Sequence, residues 1–469
     1  MSKSSTKLQS SSQATIIMVI FATLIAMVIG VFSAFFPTIV GERYGVLVGL
    51  PAAIIIGMLF LYDRYLFFML VILFRSGMDV ILDATKLGSF GLGAVLNALV
   101  ILIGLLALIE FPKPSQKVFA QTWLFFLIIA FVSLFYAPDF IAGLKTFLAL
   151  VSYAAVFVIA IVVVKSEQDY GKWMKCIFLS SIVPVAYSFV DMALGGFNNG
   201  HSEEGFRISS TFSHPNVFAF YLVLMISVGF YFYKSNVGYL SASFKRLIPL
   251  YLVLLLALLM LTKTRSAWAA CFMFFTTYAI FYERKYLIWI FLSSLAALLI
   301  PDVRDRILSL AQGNEVINYS QLNSYAWRKL IWQDSFKWMT ASHYPLGYGL
   351  ESFKYYSAEF FSMANRHHAG AHSVYVQLFF ETGLIGLLAF VWSHLRVAML
   401  LLQFYKANKF MIFSALMFLV EFAAEAYSDN MLNYLTYNWY LWFVLGAAYS
   451  LSYHKKIRTD SDAANNAVP

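Results

Sequence analysis

Histidines are unevenly distributed along this 469-residue sequence, and most lie between apolar stretches where polar chemistry is possible. Six of the eight fall in connections on one predicted side of the chain: His201, His214, His343, His367, His368 and His372. His368 and His372 have the i, i+4 spacing that lets two imidazoles share a metal ion. However, Ala369-Gly370-Ala371 between them is a poor helical scaffold, and the group contains no carboxylate or cysteine. We therefore expect no bound metal and no cofactor.

A second chemical feature is the basic residues at the edges of apolar runs on the same side. Arg207 precedes one run, and Lys263 and Arg265 lie in a very short turn between two others. Such residues often only extend their charge to the membrane surface. Alternatively, two guanidiniums and an ammonium form a site for a lipid-linked phosphate, because guanidinium offers paired donors to phosphoryl oxygens. The residue pattern leaves both interpretations open.

The composition shows which elements must position these residues. Hydrophobic residues make up 61% of the chain and charged residues only 12%, whereas soluble domains are roughly 45–50% apolar and 25% charged. Runs such as 16–36 are apolar on all sides, unlike the alternating strands of a membrane β-barrel. The net charge of +9 comes from basic residues in short connections, so nucleic acid is not an expected partner. The two cysteines, Cys176 and Cys271, provide no disulfide framework.

Hydropathy predicts an all-α polytopic membrane protein with about 14 transmembrane helices, in the range 12–14, each of about 20 residues. The transmembrane domain is predicted over 14–454. Its spans are predicted near 14–37, 46–61, 65–82, 91–109, 120–136, 141–164, 173–194, 216–233, 247–262, 266–282, 286–300, 373–395, 410–426 and 434–453.

Basic residues are concentrated in one set of short connections, which places both termini in the cytoplasm by the positive-inside rule. The tail 1–13 is then cytoplasmic, and the polar tail 455–469 is predicted to be cytoplasmic and disordered. Two longer segments, 195–215 and 301–371, are predicted periplasmic loops.

The large periplasmic loop contains a predicted helix over 323–339. Its apolar residues fall on roughly one face with charges opposite, as in a helix lying on a membrane surface or packed on the bundle. These apolar residues are Trp327, Leu330, Ile331, Phe336 and Trp338.

Three ordered parts of the sequence resemble the O-antigen ligase and O-antigen/exopolysaccharide polymerase superfamily. They are RISSTFSHPN at 207–216, LTKTR at 261–265, and YPLGYGLESF at 344–353 followed by HSVYVQLFFETGLIG at 372–386. The sequence departs from the family pattern at Ser210, where glycine is common, at Lys263 with Thr264, where a small residue with serine is usual, and at Ser373, where asparagine is common. The resemblance covers about 207–386.

This resemblance implies a GT-C-like, inverting, metal-independent glycosyltransferase of the bacterial inner membrane. It would transfer a glycan from undecaprenyl diphosphate to an acceptor sugar hydroxyl at the periplasmic face. His372 would be the general base, since histidine has an ordinary pKa of about 6.5. Arg207 and Arg265 would bind the diphosphate. Lys263 as extra charge, His214 near Arg207, and Arg328 on the loop helix are additional substrate-binding candidates.

The sequence leaves several functions open. The predicted span number favours a polymerase, whose acceptor is another lipid-linked repeat unit, over a ligase, whose acceptor is lipid A-core. A chain-length regulator is a possible protein partner. The alternative from another class is a lipid-linked oligosaccharide flippase, but such transporters are built from two similar halves. Here the halves differ, because only the second contains a very long loop.

Overall fold

A computed structural model describes residues 44–84, 91–196, 206–235, 240–308, 324–364 and 368–466. The predicted tail 1–13, the first span at 14–37, His201 and His367 lie outside these residues. All long elements of the described part are helices, as predicted. Their bounds are α1 Tyr44–Tyr62, α2 Arg64–Phe74, α3 Asp79–Ala84, α4 Leu92–Glu110, α5 Pro112–Phe119, α6 Phe125–Ser133, α7 Phe140–Val163, α8 Glu167–Leu179, α9 Ile182–Ala193, α10 Pro215–Lys234, α11 Ala242–Leu261, α12 Arg265–Phe281, α13 Tyr286–Ala297, α14 Pro301–Leu308, α15 Ser324–Trp338, α16 Ser352–Phe360, α17 Val374–Leu402, α18 Lys409–Ser428 and α19 Leu435–Asn466.

The helices form a polytopic membrane bundle. Eight helical segments of the described part are long and apolar enough to cross a membrane. Outward-facing apolar side chains on α11 and α13, such as Leu250, Trp289 and Phe291, are more than 60% exposed. Exposed apolar faces of this kind suit a lipid environment, where burying them in protein brings no hydrophobic gain. The all-α membrane class is therefore as predicted, while the number of about fourteen spans remains a prediction.

The core of the bundle is formed around α10 and α19. In α10 nearly every side chain from Pro215 to Phe232 is buried, so this helix is surrounded by protein. α19 packs against α7, and Trp439 Nε1 donates a hydrogen bond of 2.9 Å to Ser152 Oγ. Helices that are apolar all round are expected in such enclosed positions.

α17 contains a break at Gly383 that explains why glycine is required there. Gly383 has φ of 67° and ψ of −171°, which interrupts the helix. The segment 344–349 fills the break: Tyr348 N donates to Phe380 O at 3.0 Å, and Leu384 N donates to Tyr344 O at 2.8 Å. A Cβ on Gly383 would lie 2.3 Å from the Pro345 carbonyl carbon. The close approach therefore requires glycine at this position.

The predicted helix 323–339 is α15, and it packs on the bundle. Ile331 is fully buried, and Trp327, Leu330 and Trp338 join it in a second apolar cluster with α16 and the start of α17. Phe336 is 41% exposed. α15 thus covers one end of the bundle with most of its apolar face.

The end of the chain differs from the prediction of a disordered tail over 455–469. The helix α19 continues through Asn466. Lys455 Nζ lies 2.6 Å from Glu167 Oε1 and 3.2 Å from Asn408 Oδ1, so the first turn of the polar segment is bound to neighbouring helices. These contacts stabilise helix where composition alone favours disorder.

Candidate active site

Three helices begin and two end at the same end of the bundle. α10, α12 and α17 begin there, while α11 and α18 end there. We call this end, which carries His214, Thr264, Ser373 and Asp429, the site end. It brings Arg207, Arg265, Arg328 and His372 into one network of contacts, described below.

Arg207 is buried, with only 7% of its surface exposed. Its Nε donates to Thr262 O at 2.8 Å, and its Nη2 donates to Asn216 Oδ1 at 2.8 Å and to Thr264 Oγ1 at 3.1 Å. The arginine therefore connects three separate parts of the site: its own loop, the 262–264 turn and the first turn of α10. It is not simply an arginine extending to the membrane surface.

The contacts continue from Asn216 to an aspartate that the sequence analysis did not select. Asn216 Nδ2 donates to Asp429 Oδ2 at 2.6 Å. Asp429 Oδ1 accepts from the Tyr434 hydroxyl at 2.7 Å and from the Asn430 backbone N–H at 2.8 Å. The same oxygen lies 3.8 Å from His372 Nδ1. Asp429 is thus the centre that joins Arg207, through Asn216, to His372.

The environment keeps Asp429 ionised. Its burial opposes ionisation, but attraction from His372, the Tyr434 hydroxyl and Arg328 lowers its pKa to about 2. A carboxylate beside an imidazole can stabilise positive charge that develops on that ring during a reaction. The geometry therefore suits a histidine that accepts a proton during a reaction.

His372 combines a buried and an exposed edge. Nδ1 is buried on the Asp429 side, whereas 40% of the side chain is exposed. The exposed part therefore lies away from Nδ1. Trp327 of α15 packs edge-to-face against the imidazole, with ring centroids 5.6 Å apart. The ring is thus held on one side and accessible on another.

A second basic group surrounds the first turn of α15. Arg265 Nη2 donates to Ser324 Oγ at 2.7 Å, and Arg328 Nη1 donates to Ser324 O at 3.4 Å. Arg265 and Arg328 are half-buried, and the charge of Arg328 also acts on Asp429. Two guanidiniums from different helices therefore meet at the first turn of α15, where they can stabilise an anion, and Arg328 is close enough to act on Asp429.

The remaining candidates have mainly local roles in the structure. Half-buried Lys263 has φ of 53° in the turn between α11 and α12. His214 is the N-cap of α10, where its Nδ1 accepts from Asn216 N at 3.1 Å. Ser210 has φ of 54°. This explains why glycine is common at the matching position of the family, since the left-handed region favours glycine.

No group of three histidine, cysteine or acidic side chains in the described part of the chain is arranged to hold a metal ion. His368 Nδ1 lies 3.1 Å from the Lys354 carbonyl oxygen in an exposed position. His372 instead faces Asp429.

Sequence reasoning gave no role to Asn216, although this residue ends the 207–216 motif, and it missed Asp429, Asn430 and Tyr434. The available signal was position: Asp429 and Asn430 lie a few residues after the predicted span 410–426, and Asn216 starts the span 216–233. Polar residues at span ends are common, so this signal alone did not separate them from ordinary boundary residues.

The fold and the site define a polytopic helical membrane protein with a partly exposed histidine beside a buried aspartate, and with arginines, at one end of its bundle. Residues 250–391 match the family described as "O-Antigen ligase". This match supports the superfamily that the resemblance predicted for the chain. The match includes Lys263, Arg265, Arg328 and His372, but not Arg207 or Asp429. No curated protein matches the chain.

Proposed function

We propose that this protein is an inverting glycosyltransferase that moves a glycan from undecaprenyl diphosphate to an acceptor sugar hydroxyl. One observation carries the proposal: His372 presents an exposed ring edge while its other edge faces the buried, ionised Asp429. The superfamily match, whose members act on lipid-linked glycans in a bilayer, supports the substrate class.

In the proposed step, the acceptor hydroxyl oxygen attacks the anomeric carbon, and the bond from that carbon to the diphosphate oxygen breaks. His372 takes the hydroxyl proton, and the lipid diphosphate leaves with the bonding electrons. Asp429 stabilises the imidazolium that forms, as a carboxylate does beside a catalytic histidine in other enzymes. The anomeric configuration inverts because there is a single displacement.

The arginines supply the positive charge that the leaving diphosphate requires. Arg265, half-buried beside α15, and Arg207, which acts from its buried position, bind the diphosphate in this proposal. Arg328 and Lys263 add charge near them, while His214 supports Arg207 indirectly by capping α10. Because cationic side chains take this role, the reaction needs no divalent ion. Activity should persist in excess chelator, and loss that magnesium or zinc restores would contradict this part.

The product is most consistent with polymerised O-antigen or exopolysaccharide repeat units, on the basis of the predicted span number. The family description favours testing the ligase reaction beside it. Reconstituted enzyme given donor alone should form polymer if it is a polymerase. Product that appears only with lipid A-core acceptor would instead identify a ligase. Donor movement across the bilayer without any new glycosidic bond would identify a flippase.

The central experiment tests His372, Arg207 and Arg265 in reconstituted membranes with the lipid-diphosphate-linked donor. His372→Ala should lower turnover by about 10²–10⁴ with little change in donor binding. Arg207→Lys and Arg265→Lys should also fail, because an ammonium cannot make the two-point contact of a guanidinium. Matched controls are His454→Ala and Arg64→Lys, at the end of the bundle opposite the site end. Normal turnover by His372→Ala would remove the base assignment, and normal turnover by both lysine variants would remove the diphosphate assignment.

The proposed periplasmic location of the site can be tested separately. Tyr355, on α16 of the large loop, is 47% exposed, and Ser243 at the start of α11 is also exposed. The native Cys176 and Cys271 are buried, so their background labelling is low. A membrane-impermeant thiol reagent should label Tyr355→Cys in intact spheroplasts and Ser243→Cys only after permeabilisation. The reverse pattern would overturn the orientation.

A further inference from the structure

His372 has a backbone conformation that its side chain disfavours. Its φ is 48°, in the left-handed region where a Cβ crowds the backbone. Such a conformation persists in a residue other than glycine only where the surroundings hold it. The contacts on the two peptide groups beside His372 therefore identify what holds it.

The peptide before His372 is held by α15. Trp332 Nε1 donates a hydrogen bond of 2.6 Å to the Ala371 carbonyl oxygen. The Trp332 ring also packs edge-to-face on Tyr427 near the end of α18, with centroids 5.6 Å apart. This indole is therefore fixed on one side by α18 and on the other by the loop that carries His372.

The peptide after His372 is held from the segment that follows α18. Asn430 Oδ1 accepts from Ser373 N at 3.2 Å. The Asn430 amide nitrogen lies only 2.7 Å from the position of a Cβ on Gly370, so it packs directly against that glycine. The backbone N–H of Asn430 also donates to Asp429 Oδ1 at 2.8 Å. One residue thus contacts the loop on both sides of His372 and orients Asp429.

We infer that Trp332 and Asn430 are positioning residues that hold His372 in its left-handed conformation and set its Nδ1 edge against Asp429. Neither side chain supplies a group for the chemical step. The inference rests on the proposed function for its effect on turnover, but the geometry that it concerns can be measured without turnover. Besides His372 itself, Arg328 and the titratable Glu425 of α18 act on Asp429, and both remain in the variants below.

Loss of either contact should allow the 371–373 backbone to relax, so that the imidazole faces Asp429 for a smaller part of the time. Trp332→Phe removes the N–H donor but keeps an aromatic ring, and Asn430→Ala removes the acceptor. Each should lower kcat about ten- to a hundredfold, the scale expected for small misplacement of a catalytic group. KM for the donor should stay within about twofold. Matched controls are Trp289→Phe, on the exposed face of α13, and Asn433→Ala, an exposed residue of the same turn as Asn430.

A second readout follows the surroundings of the His372 ring directly. Diethyl pyrocarbonate acylates imidazole nitrogens, and mass spectrometry of the His372 peptide gives the rate of modification at one fixed pH. Both positioning variants should be modified faster than the wild type, because relaxation of the loop exposes Nδ1, which is buried on the Asp429 side of the ring. The two control variants should match the wild type, and thermal unfolding should show that all four are folded.

The two readouts separate this inference from the proposed function. If His372→Ala keeps normal turnover while His372 is still modified faster in both positioning variants, the inference stands and the base assignment fails. If His372→Ala is inactive while Trp332→Phe and Asn430→Ala keep both the wild-type kcat and the wild-type modification rate, the positioning role is overturned and the base assignment stands.

Discussion

The two ends of the helical bundle are built differently. At the site end lie the four non-glycine residues of the described part that have positive φ: Ser210, Lys263, Glu351 and His372. Buried Arg207 and Asp429 lie there as well. The opposite end has partly exposed ion pairs, such as Lys234 with Glu283 and Lys455 with Glu167, at helix ends of ordinary geometry. Backbone strain and buried charge both cost stability, and in proteins they concentrate where function requires a fixed geometry.

The same contrast holds for two carboxylates whose pKa values are both lowered to about 2. In Glu283, hydrogen bonds from Lys234 and Tyr278 lower the pKa at an accessible position. In Asp429, contact with His372 lowers the pKa in spite of nearly complete burial. Glu283 joins helix ends, whereas Asp429 faces the partly exposed His372. The two pKa values are therefore similar, and it is the surroundings that distinguish Glu283, a structural acid, from Asp429, a candidate catalytic acid.

The largest effect is expected from glycine substitutions in the break of α17. Gly383→Ala would place a Cβ 2.3 Å from the Pro345 carbonyl carbon at a φ of 67°. We expect a loss of more than about 3 kcal/mol of stability, because the strain cannot be relieved without separating the two segments. The measurement is thermal unfolding in detergent together with product formation.

Gly57→Ala is the matched control in α1, since no atom lies within 4 Å of its added Cβ. It should stabilise the protein by up to about 1 kcal/mol through helix propensity. Equal unfolding temperatures for both alanine variants would contradict the special role of the break.

The next largest effect is expected from Asp429→Asn, and Glu283→Gln is its control. Asp429→Asn keeps the shape of the side chain but removes the charge that stabilises the imidazolium, so turnover should fall by about tenfold to a thousandfold. Glu283→Gln should leave turnover unchanged. A loss of turnover in Glu283→Gln as large as that in Asp429→Asn would remove the functional difference between the two ends.

A smaller effect concerns stability in acid. A carboxylate whose pKa is lower in the folded than in the unfolded state stabilises the protein above the unfolded value of about 4, and this stabilisation is lost as the pH falls toward the folded value. The wild type should therefore lose stability between about pH 4 and pH 2. Asp429→Asn should lose less over that window, measured by unfolding temperature against pH. A parallel pH dependence in wild type and variant would show that Asp429 titrates normally.

The smallest effect is expected at Lys263. Glycine accepts its φ of 53° without strain, so Lys263→Gly should change stability by at most about 1 kcal/mol, in the stabilising direction. Its turnover should fall less than tenfold, since Arg207 and Arg265 remain. Lys285→Gly at the opposite end should show no stabilisation, because its φ of −57° is helical. A strongly destabilised Lys263→Gly would show that the lysine side chain, rather than the turn, holds this segment.

Much of the architecture is determined by the sequence alone. Long apolar runs with few charges must become helices in a membrane, because every backbone polar group needs an internal partner there. The runs therefore located α4, α7, α10 and α18 to within two residues, and the start of α17 to within one. The candidate residues Arg265, Arg328 and His372 could be selected because they lie at the ends of such runs or in the loop between them.

Only the tertiary structure decided how these residues act. Asn216 and Asp429 are 213 positions apart in the chain and yet 2.6 Å apart in space, and no local periodicity encodes that contact. Arg207 was predicted at an interface but is buried, because three acceptors from two other segments, the 262–264 turn and the first turn of α10, converge on its guanidinium. The strained φ of His372 also depends on side chains from α15 and from the segment after α18. Hydropathy fixes where helices are, but contacts between their ends depend on how the helices pack.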